Sequence, residues 1–217
     1  MKRSPAEKYT LLFETAKRSL YACDKIASRL DAELAALQED IDHSIDIGER
    51  AITPLITAAA FVDFSHRFGS VVDAMPLVNK KSISVRALRK SLQNVEIARN
   101  HLQHIRRDLS SHEQIDYPIL GSLSWVSCDC CYTICASQPG PAEYFSIAFD
   151  TQSGAWSTAC QYTVKRISID IAIVLRQMHD TYDWLISISE FSDPSISELR
   201  WGQTSAIAMR MQLGSKV

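Results

Sequence analysis

The sequence predicts a mainly α protein of the α+β class, a four-helix bundle with a small antiparallel β-meander inserted before the last helix. Apolar residues recur at steps of three and four through the first half of the chain, and again near its end. Between them lie short runs rich in β-branched and aromatic residues, separated by turn residues. Because helices with one apolar stripe bury it against one another, we expect a single domain over 1–217. Its bundle would take 5–112 and 171–191, and its meander 117–170.

The first helix is predicted from a long apolar stripe at helical spacing. The stripe consists of Phe13, Ala16, Leu20, Cys23, Ala27, Leu30, Leu34, Leu37 and Ile41. Ser4 is a suitable N-cap because Pro5, which follows it, is favoured in the first turn of a helix. Gly48 marks the expected break after this helix.

Two further helices are predicted before the chain changes period. The second spans about 49–74 and ends at Met75 and Pro76. The third begins after Ser82 or Ser84, either of which can cap it, and keeps helical spacing to about Ser111. This third helix therefore carries most of the basic residues considered below.

Strands are predicted where alternation and turn residues replace the helical period. Four runs qualify: 119–126, 131–136, 144–149 and 155–169. Turns at 138–141 and 150–154 separate the later runs, so tight links favour antiparallel pairing. The last helix then spans about 171–191 and ends before Pro194.

Charge is distributed unevenly along the 217 residues, although the net charge is only −2. The segment 80–107 has eight basic residues and one acidic residue, Glu96, so its net charge is +7. The basic residues are Lys80, Lys81, Arg86, Arg89, Lys90, Arg99, Arg106 and Arg107. Such a segment is typical either of an anion or nucleic-acid surface or of a solvated helix face balanced by acids elsewhere.

No stretch of the sequence has the ~20 apolar residues that a membrane-spanning helix needs. The N-terminus runs into a charged helical pattern rather than an apolar signal core, and the six cysteines are then expected to be reduced thiols. We therefore expect a cytoplasmic protein without a membrane partner. The sequence also lacks a Gly-rich phosphate loop, a Gly-x-Ser-x-Gly elbow and a His-Glu-x-x-His helix, which argues against nucleotide hydrolases, esterases and zinc proteases.

The third helix contains a candidate catalytic motif, Arg99-Asn100-His101-Leu102-Gln103-His104. It resembles the Arg-x4-6-His signature of the HEPN superfamily, in which a polar residue directly follows the arginine. The resemblance implies a helical bundle that forms a homodimer and cleaves RNA as a metal-independent endoribonuclease. It also implies a toxin or phage-defence effector, with an antitoxin protein as a partner in the toxin case.

The resemblance and the chemistry of RNA cleavage together suggest roles for individual residues. His104 would transfer a proton, Arg99 would stabilise charge on the phosphoryl oxygens, and Asn100 would hold His104 or the phosphate. The remaining candidates, Lys90, Arg106 and Arg107, would attract the RNA backbone. No cofactor or metal is expected. On an ideal helix Asn100 and His104 share an outward face, while Arg99 lies about 140° from His104, so two chains would have to supply one cleft.

A second copy of the motif, Arg107 to His112, competes with the first. We favour the pair Arg99 and His104 because we expect it to lie in the middle of the helix, where packing fixes side chains. His101 lies nearer the apolar stripe and is expected to be structural. The alternative to the whole reading is a non-catalytic helical-bundle protein that binds a protein or nucleic-acid partner.

Two other groups of residues offer weaker alternatives. Cysteines 128, 130, 131 and 135 suggest zinc, but alternate residues of a strand point to opposite faces, so one ion requires a turn at Asp129 and Cys130. Inert thiols are the main expectation, and a ligand-binding module centred on this sheet is the alternative. On the second helix, Asp63 and Arg67 flank His66; they form either a buried ion pair or part of a binding cleft.

Overall fold

The protein is mainly helical and carries a small antiparallel sheet. A computed structural model describes residues 4–105, 118–127, 129–135 and 147–190. Its helices are α1 Pro5–Asp42, α2 Ile52–Ala74, α3 Ile83–Gln103 and α4 Ile171–Glu190, with a short 3-10 helix Gly48–Ala51 before α2. No helix among these residues is long and apolar enough to cross a membrane.

Helix α1 begins as the sequence predicts. The Ser4 hydroxyl accepts a hydrogen bond from the Glu7 N–H at 3.2 Å, and the Glu7 carboxylate accepts one from the Ser4 N–H at 2.7 Å. This reciprocal pair satisfies two N–H groups that the first turn of a helix leaves without a partner. The predicted apolar stripe is also confirmed, because all its members from Phe13 to Leu37 except Ala27 are buried.

Helix α3 ends eight residues earlier than predicted. The chain leaves helical geometry at His104, which has φ −114° and ψ 24°, and the His104 N–H bonds to the carbonyl oxygens of Asn100 and His101. The apolar spacing continued past this point to Leu109, so the sequence suggested one uninterrupted helix. Periodicity averages over several turns and therefore does not register a break at one residue.

The four helices pack in a ring, in which α1 contacts α2, α2 contacts α3, α3 contacts α4, and α4 contacts α1. Helices α2 and α3 approach each other closely at Gly69 and Leu92. A Cβ atom added at Gly69 would lie 2.4 Å from Leu92 Cδ1, so this glycine lets the two helices approach. Residues of the helices and of the sheet belong to one hydrophobic cluster, in which Phe61, Phe68 and Tyr162 are among the largest fully buried side chains.

The sheet is antiparallel as predicted, but its strands do not follow one another as a meander. The strands are β1 Ser122–Ser127, β2 Cys130–Cys135, β3 Phe149–Asp150, β4 Ala155–Trp156, β5 Cys160–Val164 and β6 Ile167–Asp170. The main sheet has the order β2-β1-β5-β6, while β3 and β4 form a separate two-stranded pair. After β3 and β4 the chain therefore returns to the main sheet, where β5 pairs with β1. The short turns in the sequence did not indicate this pairing.

The predicted strand 155–169 is divided into three. Lys165 has a φ of 60°, and the pairing of Val164 with Ile167 leaves a two-residue turn between β5 and β6. Sequence reasoning missed this turn because Lys and Arg are not typical of left-handed positions. Half of the predicted strand 144–149 lies outside the described residues, and Phe149 begins β3.

The sheet is fixed to the helices by packing and by side-chain hydrogen bonds. Strand β6 lies against α3, where the Asn94 amide donates to the Ser168 carbonyl at 2.8 Å. Strand β1 contacts α2, and both β5 and β6 contact α4. The sheet thus covers part of α3.

Lys80 gives a first test of how the site helices are held. The Lys80 ammonium donates to the carbonyls of Val72 and Met75, at 2.7 and 2.8 Å, at the C-terminal end of α2. We expect Lys80→Met to lower the free energy of unfolding by about 1–2 kcal/mol, since charged hydrogen bonds to terminal carbonyls are lost. Chemical denaturation measures this, and the exposed Lys81→Met variant, expected to change it by less than about 0.5 kcal/mol, is the control. Equal effects of the two substitutions would contradict the role of Lys80.

Candidate functional site

The candidate residues of α3 lie on two different sides of the helix. Val85, Leu88, Leu92, Val95 and Ala98 form its buried stripe. Arg99 lies beside this stripe and faces α2, whereas Lys90, Asn100 and His104 are exposed. The structure therefore brings Asn100 and His104 to one exposed end of α3 and directs Arg99 away from them.

Arg99 is held loosely by a carboxylate of α2. Its Nε atom lies 3.7 Å from Asp63 Oδ1, which is a charge contact but too long for a hydrogen bond. The same Nε is buried and has no hydrogen-bond partner among the described residues. Asp63 is already bound by Arg67, whose Nε and terminal nitrogen lie 2.8 and 2.6 Å from Asp63 Oδ2. The positive charge of Arg99 is thus only partly compensated.

His104 does not lie in the middle of a helix, contrary to the reason for which it was preferred over the second motif copy. It is the C-cap of α3, and its N–H contacts the Asn100 carbonyl at 3.1 Å. Its side chain is exposed, as the sequence predicted for a residue off the apolar stripe. His101, by contrast, is only 5% exposed, which agrees with its expected structural position.

The other predicted RNA-binding residues are only partly described. Lys90 lies exposed on α3, two turns after the start of the helix. Arg106 and Arg107 lie outside the described residues, as does His112 of the second motif copy. The described part of the cationic segment therefore ends at the candidate site.

A groove between α2 and α3, whose lining ends one turn before Arg99, has a volume of about 300 Å³. Its lining residues are His66, Gly69, Ser70, Asp73, Leu88, Arg89, Leu92 and Glu96. Leu88 and Leu92 are buried and give the groove an apolar floor. Arg89 and Asp73 form an ion pair across it, with Arg89 nitrogens 2.8 and 3.0 Å from Asp73 Oδ1. The groove thus combines an apolar base with charged walls.

His66, which lines this groove, is close enough to Arg99 for the guanidinium charge to affect the pKa of its imidazole. Burial lowers the pKa of His66 and the Arg99 guanidinium adds to this, while the carboxylates of Glu96 and Asp63 oppose it. His66 is therefore held mainly neutral near pH 7. The sequence placed Asp63, His66 and Arg67 together and allowed either a buried ion pair or part of a binding cleft. The ion pair of Asp63 and Arg67 forms, but it is not buried, because the Arg67 side chain is 60% exposed.

The cysteine-bearing strands do not form a metal centre among the described residues. No group of three or more His, Cys, Asp or Glu side chains there could hold an ion, and Cys128 lies outside this part of the chain. A turn does intervene, since Asp129 has φ 64° and Ser127 pairs with Cys130. Burial raises the pKa of the Cys160 thiol to about 12, so it stays protonated and is a poor metal ligand or nucleophile.

Two cross-helix pairs had no signal in the sequence. Asp73 and Arg89 are sixteen residues apart and line the groove. Asp24 and His179 are 155 residues apart, and their side chains meet at 2.7 Å between α1 and α4. Only partners three or four residues apart on one helix can be inferred from spacing, so contacts between helices remained hidden.

The assignment of a site therefore rests on the geometry of α2 and α3, and the HEPN resemblance rests on its motif residues. Comparison with known proteins finds nothing similar to this chain: no family model, no curated protein and no solved structure matches it.

Proposed function

We propose that this protein is a metal-independent endoribonuclease of HEPN type, with a four-helix bundle as its scaffold, and that it acts as a homodimer. The observation that carries the proposal is an exposed seam along α3. Positions seven residues apart form one row on a helix, and a second row lies beside it. All seven members are exposed: Ile83, Arg86, Lys90, Gln93, Ile97, Asn100 and His104.

The seam has the composition of a contact between two helices near a nucleic acid. Ile83 and Ile97 are 80% and 45% exposed, which is unfavourable in water and favours a partner surface. Arg86 and Lys90 add positive charge along the same rows. A second copy of the chain packed on this seam would bring two sets of Asn100 and His104 into one cleft, with cations along its length. This supports a homodimer as the active form.

The proposed chemistry uses Asn100 and His104 of this cleft together with Arg99, which lies on another side of α3 and to which the resemblance assigns the phosphoryl oxygens. The ribose 2′-hydroxyl loses its proton and attacks the adjacent phosphorus, and the bond from phosphorus to the 5′-oxygen breaks as that oxygen gains a proton. The imidazole of His104 suits one of these transfers because its ordinary pKa lies near neutrality. Arg99, with its partly compensated charge, would stabilise the phosphoryl oxygens, and Asn100 would orient the phosphate or His104 by hydrogen bonds. The resemblance adds a toxin or defence role, with an antitoxin protein as partner.

The direct test compares the wild type with His104→Ala on single-stranded RNA in the presence of a chelator. We expect the wild type to leave 2′,3′-cyclic phosphate and 5′-hydroxyl ends, and His104→Ala to cut at least about a hundredfold more slowly, since a positioned acid or base contributes about 10²–10⁴. His43→Ala is the matched control, because His43 is exposed at the far end of α1 and should leave the rate unchanged. Loss of cleavage with the chelator, or equal rates for the two variants, would contradict the proposal.

A non-catalytic bundle that binds a protein or nucleic-acid partner is the second candidate function. The observation that favours it is the contact of Arg99 with Asp63 on α2, on another side of α3 from His104. If the same protein retains RNA without cutting it, and His104→Ala retains it equally well, this second function is correct.

A further inference from the structure

We infer that the groove between α2 and α3 binds one nucleotide unit of single-stranded RNA, with its phosphate held by Arg67 and Arg99. The inference deepens the proposed function and rests on it for the choice of RNA, since the groove alone specifies a phosphorylated nucleotide. It adds a strand-binding position on another side of α3 from His104.

Charge lies just beyond the groove, where Arg67 follows His66 and Arg99 lies one turn after Glu96. Two guanidinium groups, Arg67 and Arg99, face the single carboxylate of Asp63. Arg67 makes both short contacts, so Arg99 keeps a buried Nε–H without a hydrogen-bond acceptor among the described residues. A buried donor without an acceptor is unfavourable, and a phosphate oxygen would satisfy it with a charge-assisted hydrogen bond.

The size and the apolar floor of the groove suit a single nucleotide. Its volume of about 300 Å³ suits one nucleotide rather than an extended cofactor. Leu88 and Leu92 line its floor with apolar side chains, against which a base or ribose would pack, and Gly69 lies in close contact with Leu92.

The charged residues that line the groove favour a ribonucleotide over inorganic phosphate. Asp73 is neutralised by Arg89 across the groove. Glu96, which is on α3 like Arg89, lines the groove one turn before Arg99. Its carboxylate can accept a hydrogen bond from a ribose 2′-hydroxyl. Free phosphate would gain nothing from Glu96, because two negative charges repel. The groove therefore favours a nucleotide with a 2′-hydroxyl over phosphate alone.

The test uses uridine 3′-monophosphate, which contains a phosphate and a 2′-hydroxyl but lacks the phosphodiester bond to a following nucleotide that the proposed reaction would cleave. The full chain is titrated with it while the ring signals of His66 and the amide signal of Gly69 are followed by NMR. We expect both signals to shift, and Arg99→Gln to weaken binding about tenfold, the cost of one charge-assisted hydrogen bond. Arg67→Gln should weaken it as well. Arg18→Gln is the matched control, because it removes the same charge from an exposed position on α1, and should change affinity less than about twofold.

Each outcome decides the inference. Absence of binding up to about 10 mM, shifts confined to residues outside the groove, or equal losses for Arg99→Gln and Arg18→Gln would overturn it. Equal affinity for inorganic phosphate or for the 2′-deoxy nucleotide would overturn the assignment to RNA. Because the probe cannot be cut, the result is independent of the cleavage assay. RNA cleavage that depends on His104 without nucleotide binding refutes only the groove, and nucleotide binding without cleavage refutes only the ribonuclease.

Discussion

Replacing Arg99 with glutamine is expected to reduce RNA cleavage by at least about a hundredfold, the usual cost of removing one group that stabilises charge in the transition state. Arg99 is the motif residue whose surroundings leave its charge available, since Asp63 lies 3.7 Å from its Nε and is shared with Arg67. Glutamine keeps much of the side-chain length and can donate a hydrogen bond, but it removes the charge and the planar fork that fits phosphate. The measurement is the cleavage rate at saturating and at limiting RNA.

The control for this prediction is Arg86→Gln, which removes the same charge from an exposed position on α3. It should weaken RNA binding at low salt and leave the saturated rate nearly unchanged, because a distant cation contributes mainly to encounter with the strand. Thermal melting of both variants checks the fold. A saturated rate for Arg99→Gln within about twofold of the wild type would show that Arg99 takes no part in stabilising the reaction.

Gly121→Ala is expected to lower the free energy of unfolding by about 3 kcal/mol or more, a loss typical of strained backbone combined with a clash. Gly121 has φ 81°, a conformation that favours glycine. A Cβ atom there would lie 2.6 Å from the Thr163 carbonyl oxygen and 2.9 Å from the Tyr162 ring. Neither neighbour can move freely, because Thr163 is paired with Ser122 and Tyr162 is fully buried.

Gly154→Ala separates the two causes of this loss. Gly154 also has a positive φ, 65°, but a Cβ atom there would meet nothing within 4 Å. Its substitution should therefore cost only the backbone strain, about 1 kcal/mol. Chemical denaturation of both variants measures the difference. Similar losses at Gly121 and Gly154 would mean that the contact with β5 is not what fixes the start of β1.

Local features of the fold were predictable because each depends on neighbours along the chain. The capping box joins Ser4 to Glu7, three residues away, and the stripe of α1 repeats every three or four residues. The same reasoning identified exposed Asn100 and His104 and buried His101 on α3. Where the prediction of α3 was wrong, at its end, the break depends on the geometry of the single residue His104.

The candidate groove was not predictable, although three of its eight lining residues, His66, Arg89 and Glu96, were singled out from the sequence. His66 and Arg67 were assigned to one helix and Glu96 and Arg99 to another, with no indication that the two faces meet. The order of the sheet was hidden for the same reason, because β1 pairs with β5 across more than thirty residues of chain. Short turns indicate that strands pair, but they do not choose between neighbours that are distant in sequence.

The sequence by itself determined most of the buried stripe of α1, where α1 begins and that the chain is mainly helical with antiparallel strands. These depend on backbone geometry and on contacts within a few residues. On α2, by contrast, the apolar Ile52 and Ile56, expected to be buried, are 37% and 62% exposed. Only the tertiary structure decided that Arg99 faces Asp63 on α2 rather than His104, and that Gly69 and Leu92 bring those helices together. The physical reason is that a periodic apolar stripe specifies which side of a helix is buried but not which other element covers it.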